Sequence, residues 1–290
     1  MQMIEQQESV LKRVFLYCNE RFPPAAYTIL VCLFFWSAMI VYSLDAQRSI
    51  AWLGGIGMWL VFFHLRIFDE FKDFYEDRWA YPDRILSKGI VTLSVLGRLG
   101  AIAIILEAIL AFLIGWQAFW LWIGAVIFSV LMRYEFGLGQ WLEKRMLLYA
   151  ITHNPIVAWL AVFAWGCTEE AWQARNFWYV LFVSIASFAF EIARKTNQPP
   201  EEKDGVDSYS SVYGLHRVLW MLRGAIVLSM FCSAAVLFSL QSSIWGWGIW
   251  GIAATVSLFL TLPTGNAKKF EASGTLLLLL VMLSIIVAPW

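Results

Sequence analysis

One stretch of this chain has the residue types and spacing to hold a divalent cation. It reads Arg66-Ile67-Phe68-Asp69-Glu70-Phe71-Lys72-Asp73-Phe74-Tyr75-Glu76-Asp77. On a helix, Asp69, Asp73 and Asp77 fall at i, i+4 and i+8 and stack on one face, with Glu70 one step round. Like charges so placed destabilise a helix by roughly 0.2–0.5 kcal/mol per pair, so the stack calls for a counter-cation or a role. Clustered carboxylates suit a hard ion such as Mg²⁺, which uses one or two of them to reach substrate phosphates. The plain alternative is a solvated helix end with Arg66 and Lys72 as local partners. Against it, the acids follow directly on the apolar residues 50–63. A charge deep in a membrane helix costs about 2.5–3.5 kcal/mol on insertion scales.

A second acid-and-base segment begins at Glu191-x-x-Arg194-Lys195 and continues through Glu201-Glu202-Lys203-Asp204-Gly205-Val206-Asp207-Ser208-Tyr209-Ser210. Glu191 follows Ala186-Ser187-Phe188-Ala189-Phe190, so it sits at the end of an apolar helix. An acid facing the inside of a membrane bundle is a candidate for function. Pairing with Arg194 at i+3 or Lys195 at i+4 is compatible with that role. Asp204 and Asp207 either complete a second carboxylate set or solvate a loop; both readings stand open. Farther up the chain, Tyr149 and His153 precede Asn154-Pro155. His153 is either a ligand contact or base, or a structural histidine beside a kink.

The elements that position these residues are membrane helices. The chain of 290 residues is 60% hydrophobic and 14% charged, with a mean hydropathy of +0.67. A soluble domain of this size carries about 25% charged residues, so this composition indicates an integral membrane protein. Spans of about 20 apolar residues are expected near 24–44, 50–68, 90–114, 116–134, 146–166, 176–193, 218–240, 244–262 and 272–289. The expected fold class is therefore all-α: a polytopic membrane bundle of about nine helices forming a single domain over residues 1–290. Gly115-Trp116-Gln117 predicts a tight helical hairpin. Trp116, Trp120, Trp172, Trp178, Trp245, Trp247 and Trp290 fall near span ends, as an interfacial belt requires.

Lysine and arginine concentrate in the N-terminal segment and the even-numbered loops, while the odd-numbered loops hold only Arg48 and Arg175. The positive-inside rule then puts both acidic segments on the cytoplasmic face. The net charge of zero gives no reason to expect a nucleic-acid partner. Cys18, Cys32, Cys167 and Cys232 have neither zinc-ligand nor disulfide-framework spacing. The first 22 residues lack a cleavable signal pattern.

The two acidic segments resemble the signatures of the UbiA superfamily of intramembrane prenyltransferases. Asp69-Glu70-x-x-Asp73-x-x-x-Asp77 is similar to the family's N/D-D-x-x-D-x-x-x-D helix end, with Asp69 for the usual Asn and Glu70 for the first Asp. The loop Pro82-Asp83-Arg84-Ile85-Leu86-Ser87-Lys88-Gly89 follows, with Ile85 where the family has Pro. The segment from Glu191 is similar to the family's second acidic loop, without a clean D-x-x-x-D.

The resemblance implies Mg²⁺-dependent transfer of an isoprenoid group from a prenyl diphosphate to a lipophilic acceptor. Asp69, Glu70, Asp73 and Asp77 would hold metal on one side, with Glu191 and Asp204 opposite. Asp69, Asp73, Asp77 and Glu191 are then the catalytic candidates. Lys72, Arg84, Lys88, Arg194 and Lys195 are candidates for charge-assisted bonds to the diphosphate. Tyr149 and His153 are candidates for the acceptor pocket. A terpene cyclase on this scaffold would ionise the same diphosphate without an acceptor. A carrier would instead place its acids near the bilayer midplane on interrupted helices.

Overall fold

The computed structural model describes residues 9–43, 49–168, 170–202 and 207–290. Among them the chain is helical, with no strand. The α-helices are α1 (Val10–Arg21), α2 (Pro24–Tyr42), α3 (Trp52–Lys72), α4 (Phe74–Ala80), α5 (Leu93–Ile114), α6 (Trp116–Arg133), α7 (Gly139–Glu143), α8 (Met146–His153), α9 (Pro155–Gly166), α10 (Ala174–Arg194), α11 (Tyr209–Tyr213), α12 (Leu215–Ser239), α13 (Ile244–Leu260) and α14 (Ala267–Val287).

Seven stretches among the described residues are long and apolar enough to cross a bilayer: α2, α5, α6, the α8–α9 pair, α10, α12 and α14. Helix α13 is apolar but shorter. Helix α3 is not among the seven; its last two turns carry Arg66, Asp69, Glu70 and Lys72. Much of the apolar surface stays exposed, including Ile105, Phe112, Phe231 and Ile252, as lipid-facing helices require.

Local chemistry sets the helix ends. The side chains of Ser9, Thr92, Ser243 and Asn266 accept backbone N–H groups at the starts of α1, α5, α13 and α14. Gly115 alone separates α5 from α6; its φ of 151° suits a residue without a Cβ, and this is the hairpin expected from sequence. Pro155 starts α9 directly after Asn154, which ends α8. The Asn154 amide donates to the Ser184 carbonyl of α10 at 2.8 Å, which anchors the expected kink.

The chain forms two compact units: Met1–Cys32 with Ser49–Gly137, and Leu33–Arg48 with Leu138–Trp290. In the first, α3 packs on α5 and α6. At the α1 end, Tyr17, Ile67, Leu86, Val91 and Leu96 form a buried apolar cluster. In the second, α10 packs on α12 and α14. Small residues permit that close approach: a Cβ on Gly274 of α14 would lie 2.7 Å from the Phe190 Cα of α10.

Candidate active site

The acidic stretch forms as a helix with one interruption. Helix α3 ends at Lys72, Asp73 stands at φ −91° and ψ 4°, and α4 begins at Phe74. The i→i−4 backbone bonds Asp73 N to Asp69 O (2.9 Å) and Asp77 N to Asp73 O (2.8 Å) persist across the break. The three aspartates therefore keep the expected succession, with Asp73 at the joint.

Their partners divide the acids into two groups. Glu70 is buried, and its Oε1 accepts from Arg21 Nε at 2.7 Å, Arg66 Nε at 3.0 Å and Arg66 Nη2 at 2.7 Å. Asp77 pairs with Arg84, and its Oδ2 accepts from Arg21 Nη2 at 3.3 Å. Asp69 and Asp73 are the open pair, 47% and 40% exposed. Lys72 Nζ lies 3.9 Å from Asp69 and 3.8 Å from Asp73, and Arg66 Nη1 lies 3.6 Å from Asp69. Burial, partly countered by Lys72 and reinforced by Asp69 and Asp77, pushes the Asp73 carboxyl up to about 6.

The bases of the following loop do different jobs. Arg84 lies over the Tyr81 ring, 3.7 Å from its centroid, while bound to Asp77. Lys88 pairs with Asp83 at 3.4 Å and does not reach the aspartate stack. Arg21 lies in the N-terminal segment, whose lysines and arginines the sequence ties only to topology. Its contact with Glu70 spans 49 residues of chain, and no periodicity links positions so far apart.

In the second unit, Glu191 receives Arg194 Nη2 at 2.7 Å and Lys195 Nζ at 2.8 Å. Lys195 Nζ also stands 6.0 Å from the centroid of the Tyr149 ring, which stacks on His153 at 4.0 Å. His153 Nδ1 hydrogen-bonds to the Tyr149 carbonyl at 2.8 Å. Tyr149, His153, Lys195 and Glu191 thus form one connected group. Tyr209 is buried, its backbone N–H donates to the Lys195 carbonyl at 2.9 Å, and its hydroxyl is directed at the Met146 carbonyl.

Asp204 lies outside the described residues. Next to that gap, Glu202 accepts the hydroxyls of Ser208 and Ser210 at 2.7–2.8 Å and the Asn197 amide at 3.3 Å. Burial pushes its carboxyl up, but these bonds outweigh it and hold the group below its ordinary value. The Gln198 amide donates to the carbonyls of Pro263 (2.7 Å) and Gly265 (2.6 Å), and Glu201 accepts from Ala267 N at 2.9 Å. These bonds tie the loop after α10 to the turn between α13 and α14.

Among the described residues, no three His, Cys, Asp or Glu side chains stand close enough to cage a metal ion. The donors at the joint fit Mg²⁺ in another way. Asp69 and Asp73 offer hard oxygens on half-exposed side chains, each only loosely paired with Lys72 at 3.8–3.9 Å. Mg²⁺ is commonly held by one or two carboxylates together with water and substrate phosphates. Glu70 and Asp77 already have arginines.

The model of the UbiA prenyltransferase family matches residues 25–278. The chain belongs to that family. It is an integral membrane protein with a helical UbiA fold. The fold is similar to that of a structure described under the biosynthesis of digeranylgeranylglyceryl phosphate synthase in membranes. The identity there is 18%, the TM-score 0.67, and the match covers 96% of this chain and 99% of that one. It is also similar to the apo structure of a UbiA homolog from Aeropyrum pernix K1, with 16% identity, a TM-score of 0.63, and coverage of 90% and 95%. No protein with a curated description matches the sequence. The family match starts beyond α1, so Arg21 and Tyr17 stand outside it.

Proposed function

We propose that this protein transfers an isoprenoid group from a prenyl diphosphate to a lipophilic acceptor. The observation that carries the reading is the Asp69–Asp73 pair at the α3–α4 joint, half-exposed and only loosely paired with Lys72 and Arg66, in a chain of the prenyltransferase family. Asp69 and Asp73 would hold Mg²⁺, with Asp77 behind them. Bound Mg²⁺ supplies a Lewis acid that neutralises the diphosphate as it leaves.

The rest falls to the chain's own groups. Arg84 and Lys72 carry charge-assisted donors for phosphate oxygens. A phosphate arriving at the joint competes with Asp77 for Arg84. In the second unit, Arg194 and Lys195 carry the same donors, and Glu191 holds them ready. Tyr149 and His153 face an acceptor as stacked rings, with His153 able to take a proton. The reaction face is cytoplasmic, supported by the placement of lysines and arginines along the chain.

The test uses the purified protein in lipid nanodiscs with Mg²⁺ and prenyl diphosphates of increasing length. Binding and diphosphate release are measured with and without a lipid-phase extract containing acceptors. Acceptor-dependent release is expected. Release without any acceptor means a cyclase, and neither binding nor release at any length rejects the reading.

A further inference from the structure

Four buried polar side chains in the first unit belong to neither acidic segment. His64 of α3, Glu107 of α5 and Ser129 of α6 are fully buried, and Trp122 of α6 nearly so. His64 Nδ1 lies 2.7 Å from Glu107 Oε1, and its Nε2 lies 3.1 Å from Ser129 Oγ. Trp122 Nε1 donates to Glu107 Oε2 at 3.0 Å.

Hydrogen-bond counting defines what this group is. The single hydroxyl proton of Ser129 goes to the Val126 carbonyl at 2.7 Å. Nε2 of His64 must then carry the proton in its contact with Ser129. The 2.7 Å contact on the other side requires one proton between Nδ1 and Oε1. The set is neutral as a whole. Although Ser, His and Glu stand in line as in a hydrolytic triad, the serine proton faces its own helix, so Ser129 is not an activated nucleophile.

The other buried residues of α3 are Gly54, Gly57, Met58, Val61, Ile67, Phe68 and Glu70. Apart from Glu70, they are small or apolar and make no directional bond through their side chains. Between packed apolar helices, van der Waals contact and interhelical hydrogen bonds together fix the rotation, and the hydrogen bonds are the directional part. A slip of one residue turns a helix by about 100° and would carry the aspartate stack off its face. His64 is also in ring contact with Phe68 at 5.2 Å, and the guanidinium of Arg133 covers Phe68 and Phe71 at 4.9 and 4.5 Å. The network is therefore continuous with the turn that carries Asp69.

We propose that His64, Glu107, Trp122 and Ser129 form a buried clamp that sets the rotation of α3, with His64 and Glu107 as positioning residues for the acidic end of that helix. Its consequence for metal binding rests on the function proposed above; its effect on the position of α3 does not.

The experiment compares wild type, Glu107→Ala, Glu107→Gln, Trp122→Phe and Ser37→Ala as full chains in nanodiscs. Amide hydrogen exchange is read over residues 66–80, and Mn²⁺ affinity by electron paramagnetic resonance. Ser37→Ala removes a buried bond of the second unit, where Ser37 Oγ meets Tyr179 at 2.8 Å, and serves as the control for general loosening. Glu107→Ala is expected to speed exchange over 66–80, and to weaken Mn²⁺ binding, by about tenfold. Glu107→Gln restores both to within about threefold, because its amide donates to Nδ1 and its carbonyl accepts from Trp122. Ser37→Ala leaves both unchanged.

Wild-type exchange in Glu107→Ala overturns the clamp. So does failure of the glutamine to rescue, or an equal effect of Ser37→Ala. If Glu107→Ala does not fold, Trp122→Phe, which deletes one bond and keeps the ring bulk, decides: unchanged exchange overturns the clamp, and faster exchange over 66–80 supports it. A wild type that binds no Mn²⁺ defeats the functional reading, while the exchange data still judge the clamp.

Discussion

Asp73 and Glu70 lie three positions apart and have opposite physical characters. Glu70 is a buried carboxylate gripped by two arginines; Asp73 is an open one among like charges. Burial and its acidic neighbours lift Asp73 from 3.8 to about 6, so the folded chain holds this proton more tightly than the unfolded chain. That contribution to stability is complete below pH 3.8 and is lost as pH rises through about 6. Asp73→Asn should therefore be no less stable than wild type, and its relative stability should grow from pH 4 to pH 7. It should also lose the thermal shift that Mg²⁺ plus prenyl diphosphate induces, and in wild type that shift should fade as pH falls through 6. A full ligand-induced shift in the mutant would show that Asp73 holds no metal. Glu70→Gln should behave in the reverse way. It leaves two guanidinium groups facing an uncharged amide and should lower stability by roughly 2–3 kcal/mol, somewhat below the cost of breaking a fully buried pair, because both arginines are partly exposed. Chemical denaturation in detergent measures this, and an unchanged midpoint would remove Glu70 from its structural role.

Among the helices, α10 and α14 approach closely at Gly274. Gly274 leaves no room for a methyl group, since its Cβ would strike the backbone of Phe190 beside Glu191. Backbone cannot turn aside as a flexible side chain does. Gly274→Ala should part the two helices and cost about 1–3 kcal/mol, in the range of other overpacked cores. The displacement falls next to Glu191 and its two bases, so diphosphate release should drop as well. Thermal unfolding and the release assay read the two effects separately, and wild-type values in both would mean that α14 yields freely. The α3–α4 joint is a different kind of element boundary. Its backbone bonds continue through Asp73, so the acids are offered along one line although the helix is interrupted.

For the molecule as a membrane protein, lysines and arginines predict an orientation. Residues 78–88 should be cytoplasmic and residues 241–243 external. Single cysteines placed there, in a background lacking the four native cysteines, can be labelled with an impermeant reagent in intact cells. Labelling at 241–243 with protection at 78–88 is expected, and the opposite pattern would invert the topology. The N-terminal helix adds a feature that lies outside the family match. Helix α1 sends Arg21 to Glu70 and Asp77, and its Glu20 accepts the Ile85 backbone N–H at 3.2 Å. The acidic end of α3 is thereby braced by a segment that lies outside the matched residues.

Much of this was legible in the chain before folding. Composition implies a membrane protein, because bilayer burial rewards apolar residues in any arrangement. The succession Asp69, Asp73, Asp77, the hairpin at Gly115 and the kink at Asn154-Pro155 depend on residues within a turn or two of each other, and local stereochemistry reports them. The local partners Arg66, Lys72, Arg194 and Lys195 were legible too, whereas the distant partners of the acids were not. Arg21 meets Glu70 across 49 residues, and His64 meets Glu107 across 43. Both pairings depend on how one helix is rotated against another, a choice shared among all their packing contacts. The same charges along the sequence are compatible with several such rotations. Folding selects one, in which Glu70 meets two arginines while Asp69 and Asp73 stay half-exposed.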